Sequence, residues 1–536
     1  MQTILYPCQK DQQPNNALSE CGALIRKGGL VAFPTETVYG LGANALDSEA
    51  VAKIFMVKNR PANNPLIAHI SDISMLSGLV KEFPKELQAL TDEFWPGPLT
   101  LVLPRTEQVP KIVSAGLDTV AVRCPAHPIA LGLIQAAGVP IVAPSANLSG
   151  RPSPTCFAHC KEDLWGKVDA ILDGGSCEIG LESTVLLPLG GKRLKLLRPG
   201  GITPAMLEAL GFSVEIDPAV LAPVKEGQKV SSPGMLHRHY APKAPLTIIK
   251  GNAKAVCRAL KEREKEGVWM LVFDEYLHQF KNAISFGSEK DPRSQSQALF
   301  KALREFDGLC CKEIFAMMPS KEGEGLAICN RLLRAASFRI IEAKSIIGLT
   351  GFSGSGKTTL SALFAKAGYL ALDCDKIVHE EVYKDPFVLK KIAEAFGEEC
   401  IKGGALDRAI LRQKTMGNPQ ETQRLNQTVL PLIAAHIEKI FEENKDRHIL
   451  LDAPTLFESG LDARCDQIIS VVAPKEAAIR RIMERDHLSL ADAERRLSSQ
   501  KGAEYYSSRS DFTIINDGSE EEFRQKAKAL LEVIHG

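Results

Sequence analysis

The stretch Gly351-Phe352-Ser353-Gly354-Ser355-Gly356-Lys357-Thr358 fits the spacing G-x-x-x-x-G-K-[ST]. This motif requires a strand before it and a helix after it. Ile346-Ile347-Gly348-Leu349-Thr350 is a short apolar run that reads as a buried strand, and Thr359 to Ala365 carries apolar residues at helical spacing. The glycines let backbone N–H groups turn inward around phosphate oxygens, and the helix N-terminus adds positive potential. Gly354, Ser355, Gly356, Lys357, Thr358 and Thr359 are therefore candidate triphosphate-binding residues. Lys357 would reach the β- and γ-phosphates, and Thr358 would be the Mg²⁺ ligand. The motif specifies a nucleoside triphosphate and is silent about the acceptor.

A P-loop follows the first strand of its domain, yet here a long chain precedes it. Something complete should end just before Ser345, leaving a kinase-sized remainder. The 536 residues suggest three or four domains. A hydrophobic fraction of 45% and a charged fraction of 24% suit a soluble globular chain. With a formal net charge of +0, no global field draws the chain to nucleic acid or membrane. The 13 cysteines are scattered without C-x-x-C pairs, which predicts reduced thiols in a cytoplasmic protein. There is no basic leader ahead of an apolar core and no apolar run long enough to span a bilayer.

Over residues 1–215, strands are expected at Leu30–Phe33, Leu66–Ile70, Leu99–Leu103, Val120–Arg123, Ile141–Ala143, Ala170–Leu172 and Thr184–Leu187. Thr35 to Gly42 reads as a turn rich in hydroxyls and glycine. Strands and helices interleave without strict alternation, so the fold class is α/β or α+β. Cations and hydroxyls gather at loop positions: Lys58 and Arg60 just past a helix, and Arg123, Ser145 with Asn147, Ser183 and Arg198 at strand ends. Any one lysine or arginine reads as a solvated surface charge. Together, beside Pro and Gly loops, they suit an anionic ligand such as a nucleoside triphosphate. The residues alone carry the reading no further than an anion-binding α/β domain.

The ordered motifs go further. Pro34-Thr35-Glu36-Thr37-Val38-Tyr39-Gly40-Leu41-Gly42, Lys58-x-Arg60-Pro61 with Asn64-Pro65-Leu66, Trp95-Pro96-Gly97-Pro98, Val122-Arg123-Cys124-Pro125, Ala143-Pro144-Ser145-Ala146-Asn147 and Glu182-Ser183-Thr184 resemble the threonylcarbamoyl-AMP synthase (YrdC-like) family. The resemblance implies formation of threonylcarbamoyl-adenylate from L-threonine, bicarbonate and ATP. The product would go to a downstream tRNA threonylcarbamoyl transfer machinery, with no stable nucleic-acid complex required. It implies threonine binding by Thr37, His69, Arg123 and Ser183, and an ATP and intermediate side formed by Lys58, Arg60, Asn64, Thr119, Ser145, Asn147 and Arg198. Lys58 and Arg60 are the catalytic candidates. Read without the family, His69 on an apolar strand is a packed core histidine.

Residues 216–244 begin as a linker rich in Pro, Lys, Gly and Ser, then change to Ser232-Pro233-Gly234-Met235-Leu236-His237-Arg238-His239-Tyr240-Ala241-Pro242. That segment resembles the interdomain stretch of the long, two-domain form of the same family, which implies a lid with Tyr240 beside the nucleotide. Residues 245–342 read as a small Rossmann-like α/β accessory domain with no catalytic constellation and no G-x-G-x-x-G loop. Its expected role is structural or regulatory.

In residues 345–536, Asp373-Cys374-Asp375 ends a strand at Tyr369–Leu372, and Asp452-Ala453-Pro454 ends another at Ile449–Leu451. Carboxylates at strand C-termini face the ligand crevice of an open α/β sheet, where they could bind Mg²⁺ or take a proton. One of the pair at 373 and 375 is equally an N-cap for the next helix. A basic tract from Lys475 to Gln500 reads as one long helix. With Asp373-x-Asp375, Phe396-Gly397, Gly404-x-Leu406-Asp407-Arg408 and Asp452-x-Pro454, the segment resembles dephospho-coenzyme A kinase. The resemblance implies γ-phosphoryl transfer from ATP to the ribose 3′-hydroxyl of dephospho-CoA, with Asp375 as general base, Lys357 as phosphate clamp, and Arg408 and Arg485 on substrate phosphates. The sequence departs from that family at Phe352, where a second glycine is usual. It departs again at Leu430-Pro431, where His-Pro is usual, and at Thr455 of Pro454-Thr455-Leu456-Phe457-Glu458, where leucine is usual.

The sequence thus predicts a multidomain α/β fusion of a synthase and a kinase, both using ATP and Mg²⁺. The alternative is an RNA-binding module joined to a P-loop kinase of another small-molecule acceptor.

Overall fold

The computed structural model describes residues 2–8, 15–223, 240–415 and 418–535. The segment from Ser232 to His239, and with it most of the expected lid, lies outside the described residues. The chain forms two compact units, one of Met1–Lys250 with Leu260–Ile341 and one of Gly251–Ala259 with Glu342–Gly536.

The first unit contains eleven strands of one sheet: β1 Ile4–Pro7, β2 Val31–Phe33, β3 Gly40–Asn44, β4 Ile67–His69, β5 Leu99–Pro104, β6 Thr119–Arg123, β7 Ile141–Val142, β8 Ala170–Asp173, β9 Thr184–Pro188, β10 Arg193–Arg198 and β11 Ser213–Ile216. Their order is β1-β8-β2-β3-β7-β4-β6-β5-β9-β10-β11. The expected turn at Thr35 to Gly42 is in fact half strand, since Gly40, Leu41 and Gly42 belong to β3. Glycine is required there by close approach: a Cβ on Gly42 would lie 2.8 Å from the Phe33 ring and 2.9 Å from Ile141 Cγ2. With glycine at 40 and 42, β3 pairs between β2 and β7 and leaves room for Phe33 and Ile141. Parallel and antiparallel pairings mix, so strand ends from both chain directions meet on one side. His69 stands opposite Arg123 across β4 and β6, and Thr100 opposite Arg123 across β5 and β6.

A second, five-stranded layer follows, built from β12 Leu246–Lys250, β13 Val268–Val272, β14 Ala283–Ser285, β15 Glu313–Met317 and β16 Ile340–Glu342 in the order β14-β13-β15-β12-β16. The pairs among β12 to β15 are parallel. Its helices Pro292–Glu305 and Gly325–Ala335 present buried arginines to residues of the large sheet's domain. Arg304 donates to Asp163 at 2.7 Å, with both side chains buried, and to the Pro152 carbonyl at 2.6 Å. Arg151 pairs with Asp163, Glu162 and Asp307. A buried ion pair with both partners satisfied is costly to break from one side, so this contact fixes the small layer on the large one.

The second unit is built on β17 Ile346–Thr350, β18 Leu370–Asp373, β21 Ile449–Asp452, β22 Gln467–Val472 and β23 Phe512–Ile515, in the order β18-β21-β17-β22-β23 with all pairings parallel. A separate two-stranded ribbon joins β19 Ile401–Lys402 to β20 Ala405–Leu406. The first strand, β17, lies between β21 and β22, so the chain crosses to opposite sides of it. That reversal is where open α/β sheets bind ligands, beyond the strand C-termini. The basic tract is two helices, Lys475–Asp486 and Leu490–Ser498, and not one. His487 between them is left-handed at φ 52°, and the Ser489 hydroxyl caps the second helix. No helix among the described residues is long and apolar enough to cross a membrane.

Candidate active sites

In the first unit, strand ends and loops converge on a cavity. It is lined by Thr35, Thr37, Arg60, His69, Arg123, Ser145, Glu182, Ser183, Arg198 and Tyr240, with apolar residues between them. Arg123 is the hub. It donates to Thr37 Oγ1 at 2.9 Å and to the Gly97 carbonyl at 3.2 Å, and its NH2 lies 2.6 Å from Glu36. Arg198 donates to the Ser183 carbonyl and hydroxyl, both at 3.0 Å, and Ser183 Oγ meets Thr100 Oγ1 at 2.8 Å. Arg60 is held by the Asn64 and Pro65 carbonyls. Burial lowers Arg60 and Arg198 to about 10, which leaves both guanidiniums charged at neutral pH. His69 is buried, and desolvation, followed by Arg123, drives it down to about 3, so its ring is neutral. The core-histidine and site-histidine readings thus meet in one residue, packed on a strand and lining the cavity.

Eight of the residues expected here line that cavity: Thr37, Arg60, His69, Arg123, Ser145, Ser183, Arg198 and Tyr240. Lys58 does not. It is fully buried and donates to the carbonyls of Ser145 and Asn147, fixing the loop that presents Ser145. Burial, then Arg60, lowers its pKa. Asn147 is likewise turned into the loop, donating to the Leu148 and Arg151 carbonyls while its Oδ1 accepts from Ser145. Asn64 is buried beside Arg60, with its side-chain oxygen accepting no hydrogen bond. Thr119 starts β6 while Arg123 ends it, which places it about 13 Å away at ~3.3 Å per residue. Glu182 stands in the cavity wall, although its motif directed attention to Ser183. Arg331 reaches Glu182 at 2.7 Å from the small layer; its stretch Ala327-Ile328-x-Asn330-Arg331-Leu332 resembles the accessory domain of the long form, but nothing in that stretch pointed to a site.

In the second unit, a cavity of about 680 Å³, ample for a nucleotide, opens at the C-terminal ends of β17, β18 and β21. Its lining includes Ser353, Gly354, Gly356, Lys357, Thr358, Asp373, Asp375, Asp452, Arg481, Arg485, Arg496 and Gln500. The glycine loop is braced from outside: Asn516 donates to the Ser355 carbonyl at 2.8 Å, and Gln500 accepts from Ser353 N–H at 2.7 Å. A Cβ on Gly354 would lie 2.6 Å from the Ala478 carbonyl oxygen, at φ 79°. Phe352, replacing the usual glycine, packs with Val472, Ala478 and Tyr506 and also lines the cavity. Lys357 donates to the Gly351 carbonyl at 2.8 Å. Burial lowers its pKa, opposed first by Asp452. Asp373 is the N-cap, accepting from Lys376 N–H at 3.0 Å, while Asp375 lies in the first turn and lines the cavity. Asp452 is half-buried, and desolvation raises it to about 6 despite Lys357.

Arg485 lies in this cavity, paired with Asp486 at 2.8 Å. Arg408 is not among its lining residues; its guanidinium donates to His379 Nε2 at 2.7 Å. Ser355 is fully buried and Thr359 faces away from the lining, so their contribution is limited to the loop and helix backbone. Leu430 packs against the apolar core of this unit.

Comparison with known proteins identifies the families of both regions. The family models for telomere recombination, for the threonylcarbamoyl-AMP synthase C-terminal domain and for dephospho-CoA kinase match residues 23–200, 202–337 and 345–522. The threonylcarbamoyl-AMP synthase of Pyrococcus abyssi is 47% identical over 59% of this chain and 93% of its own length. That of Bacillus subtilis is 43% identical over 60% and 94%. The crystal structure of P. abyssi Sua5 complexed with L-threonine superposes with a TM-score of 0.59 at 44% identity, covering 63% of this chain and 99% of that one. The dephospho-CoA kinase of Enterococcus faecalis is 36% identical over 35% of this chain and 96% of its own. An active centre of clustered arginines on strand ends, and a P-loop with carboxylates at a sheet's switch point, are thus joined in one bifunctional enzyme: the chain belongs to the threonylcarbamoyl-AMP synthase family through its first three fifths and to the dephospho-CoA kinase family through its last third.

Proposed function

We propose that the first cavity condenses L-threonine, bicarbonate and ATP. The threonine amine attacks the bicarbonate carbon with loss of water. The resulting carbamate oxygen attacks the α-phosphorus of ATP, and pyrophosphate leaves. The convergence of Arg60, Arg123 and Arg198 supports this reading most directly. Three fixed cations let anionic reactants approach one another, so that orientation and charge stabilisation supply most of the rate. Thr37, His69, Arg123 and Ser183 hold threonine; Arg60, Ser145, Arg198 and Tyr240 face the nucleotide. Lys58 and Asn147 act through the loop they fix, and Asn64 holds Arg60 through its backbone carbonyl. The adenylate passes to a threonylcarbamoyl transfer machinery acting on tRNA.

In the second cavity, the ribose 3′-hydroxyl oxygen of dephospho-CoA attacks the γ-phosphorus of ATP, ADP leaves, and Asp375 takes the hydroxyl proton. Lys357 and the loop amides hold the phosphates, and Arg485 leaves Asp486 to meet them. The donor set suits Mg²⁺. Asp452 Oδ1 is buried and accepts no hydrogen bond, and Thr358, Asp373 and Asp375 line the same cavity. Among the described residues no His, Cys, Asp or Glu cluster would enclose an ion alone. Mg²⁺ takes only one or two carboxylates and completes its shell with phosphate oxygens and water. Bound with ATP, it would neutralise charge on the β- and γ-phosphates.

Two assays on the intact chain test the reading. Pyrophosphate release should require threonine and bicarbonate together, and labelled ATP should phosphorylate dephospho-CoA in preference to a nucleoside or shikimate. Release that ignores either co-substrate refutes the first half; equal transfer to all acceptors refutes the second.

A further inference from the structure

Arg331 lies on helix Gly325–Ala335 of the small layer and is among the largest fully buried side chains of the protein. A guanidinium taken out of water costs several kcal/mol unless its hydrogen bonds are replaced, and here they are. Nε donates to Glu182 Oε2 at 2.7 Å, NH2 approaches the Glu182 carbonyl at 3.4 Å, and NH1 donates to Asn330 Oδ1 at 2.8 Å. Asn330 in turn donates to the Val220 carbonyl at 2.6 Å, so the arginine is anchored to the large-sheet domain on two sides. The same guanidinium lies 5.7 Å from the centre of the Tyr240 ring, within range of cation–π attraction.

Glu182 is the significant partner because it lines the synthase cavity while Arg331 is not among the lining residues. Glu182 is followed by Ser183, whose carbonyl and hydroxyl both accept from Arg198. Two cations therefore influence one carboxylate. Burial pushes Glu182 upward, but Arg331 first and Arg198 second, helped by the Ser153 hydroxyl, hold it at about 2. It is an anion at every working pH. Without Arg331, Glu182 would share the cavity with Arg198, which is held one residue along the chain by Ser183.

We infer that Arg331 is a positioning residue of the synthase: by engaging Glu182 from the small layer, it keeps that carboxylate from drawing Arg198 off the Ser183 contacts that orient it, and it steadies Tyr240 in the cavity wall. The small layer is then a working part of the active site and not only a support. This inference rests on the synthase reading above.

The test uses the full-length chain with Arg331→Met, Arg331→Lys, Glu182→Gln and the double variant Arg331→Met/Glu182→Gln. Pyrophosphate release is measured against ATP and against threonine, and the dephospho-CoA kinase rate of each preparation reports an intact chain. Arg331→Met should raise the KM for ATP or lower kcat/KM for ATP at least tenfold. The double variant should recover most of that loss, because the unpaired carboxylate that captures Arg198 is gone. Arg331→Lys should fall between wild type and Arg331→Met. Wild-type kinetics in Arg331→Met overturn the inference. So does a double variant no better than Arg331→Met, which would mean the arginine only fills space. If Arg331→Met does not fold, Arg331→Lys and Glu182→Gln decide by the same kcat/KM comparison: wild-type values in both overturn it. Absence of threonine-dependent pyrophosphate release in the wild type would instead fail the synthase reading.

Discussion

Asp452→Asn should make the second unit more stable while destroying its kinase activity. Asp452 is half-buried at the end of β21, and desolvation raises its pKa from the ordinary 3.8 to about 6, with Lys357 only partly offsetting the cost. The span between those values, at about 1.4 kcal/mol for each tenfold in proton affinity, gives a penalty on the order of 3 kcal/mol for holding the carboxylate ionised. Because the folded-state pKa is raised, the penalty is absent below about pH 4, where folded and unfolded chains are both protonated. It builds as pH rises and is complete above about pH 6. Wild-type stability should fall through that window by up to about 3 kcal/mol from this group alone. The asparagine variant should lack that fall and exceed wild type at pH 7.5. The three tryptophans are Trp95, Trp165 and Trp269, all in the first unit, so their fluorescence does not report this event. Native-state hydrogen exchange of amides in β17 and β21, measured at several pH values, does. An Asp452→Asn protein no more stable than wild type at pH 7.5, or a stability gap that is the same at pH 4 and pH 7.5, would refute the argument. Activity should fall by orders of magnitude in the same variant, since an amide cannot supply the anionic oxygen that Mg²⁺ prefers.

Asp375→Asn should lower dephospho-CoA phosphorylation by at least ~100-fold, the range of a lost general base, with nucleotide affinity held within about threefold; near wild-type turnover would remove Asp375 from that role. Tyr240→Ala should weaken ATP binding to the synthase several-fold, read by calorimetry of a Lys357→Met chain whose kinase pocket is disabled; unchanged affinity counts against a tyrosine at the nucleotide. Arg304→Met leaves Asp163 charged and buried with only Arg151 beside it, so the first unit should lose roughly 3–5 kcal/mol. Tryptophan-detected urea unfolding checks this, and a loss under 1 kcal/mol would show that Arg151 alone satisfies the carboxylate.

The glycine loop was legible because its chemistry is local. Backbone amides, Lys357 and Thr358 occupy fixed offsets within one strand–turn–helix unit, and the cavity in the structure contains the same residues. The arginines of the synthase cavity were legible by resemblance, and weakly by their position at strand ends. What the sequence left open is where each polar group points. Lys58 and Arg60 are neighbours by number, yet the helix Ser48–Lys58 ends between them, and Lys58 turns into the loop carbonyls while Arg60 lines the cavity. The basic tract after Lys475 reads as one helical stretch, although Ser489-x-x-Asp492 carries the N-cap signature of a second helix, which the structure starts after the left-handed His487.

The linear order of residues determined the triphosphate-binding loop of the second enzyme, because motif spacing encodes a local strand–turn–helix unit, and it determined the first enzyme only through the resemblance its ordered motifs carry. Tertiary structure alone decided that Glu182 has a partner 149 positions away. Residues so distant in sequence share no periodicity or spacing rule. Their meeting depends on how a helix of one layer docks on a strand end of another, and burial then turns that proximity into a strong interaction by removing the water that would have screened it.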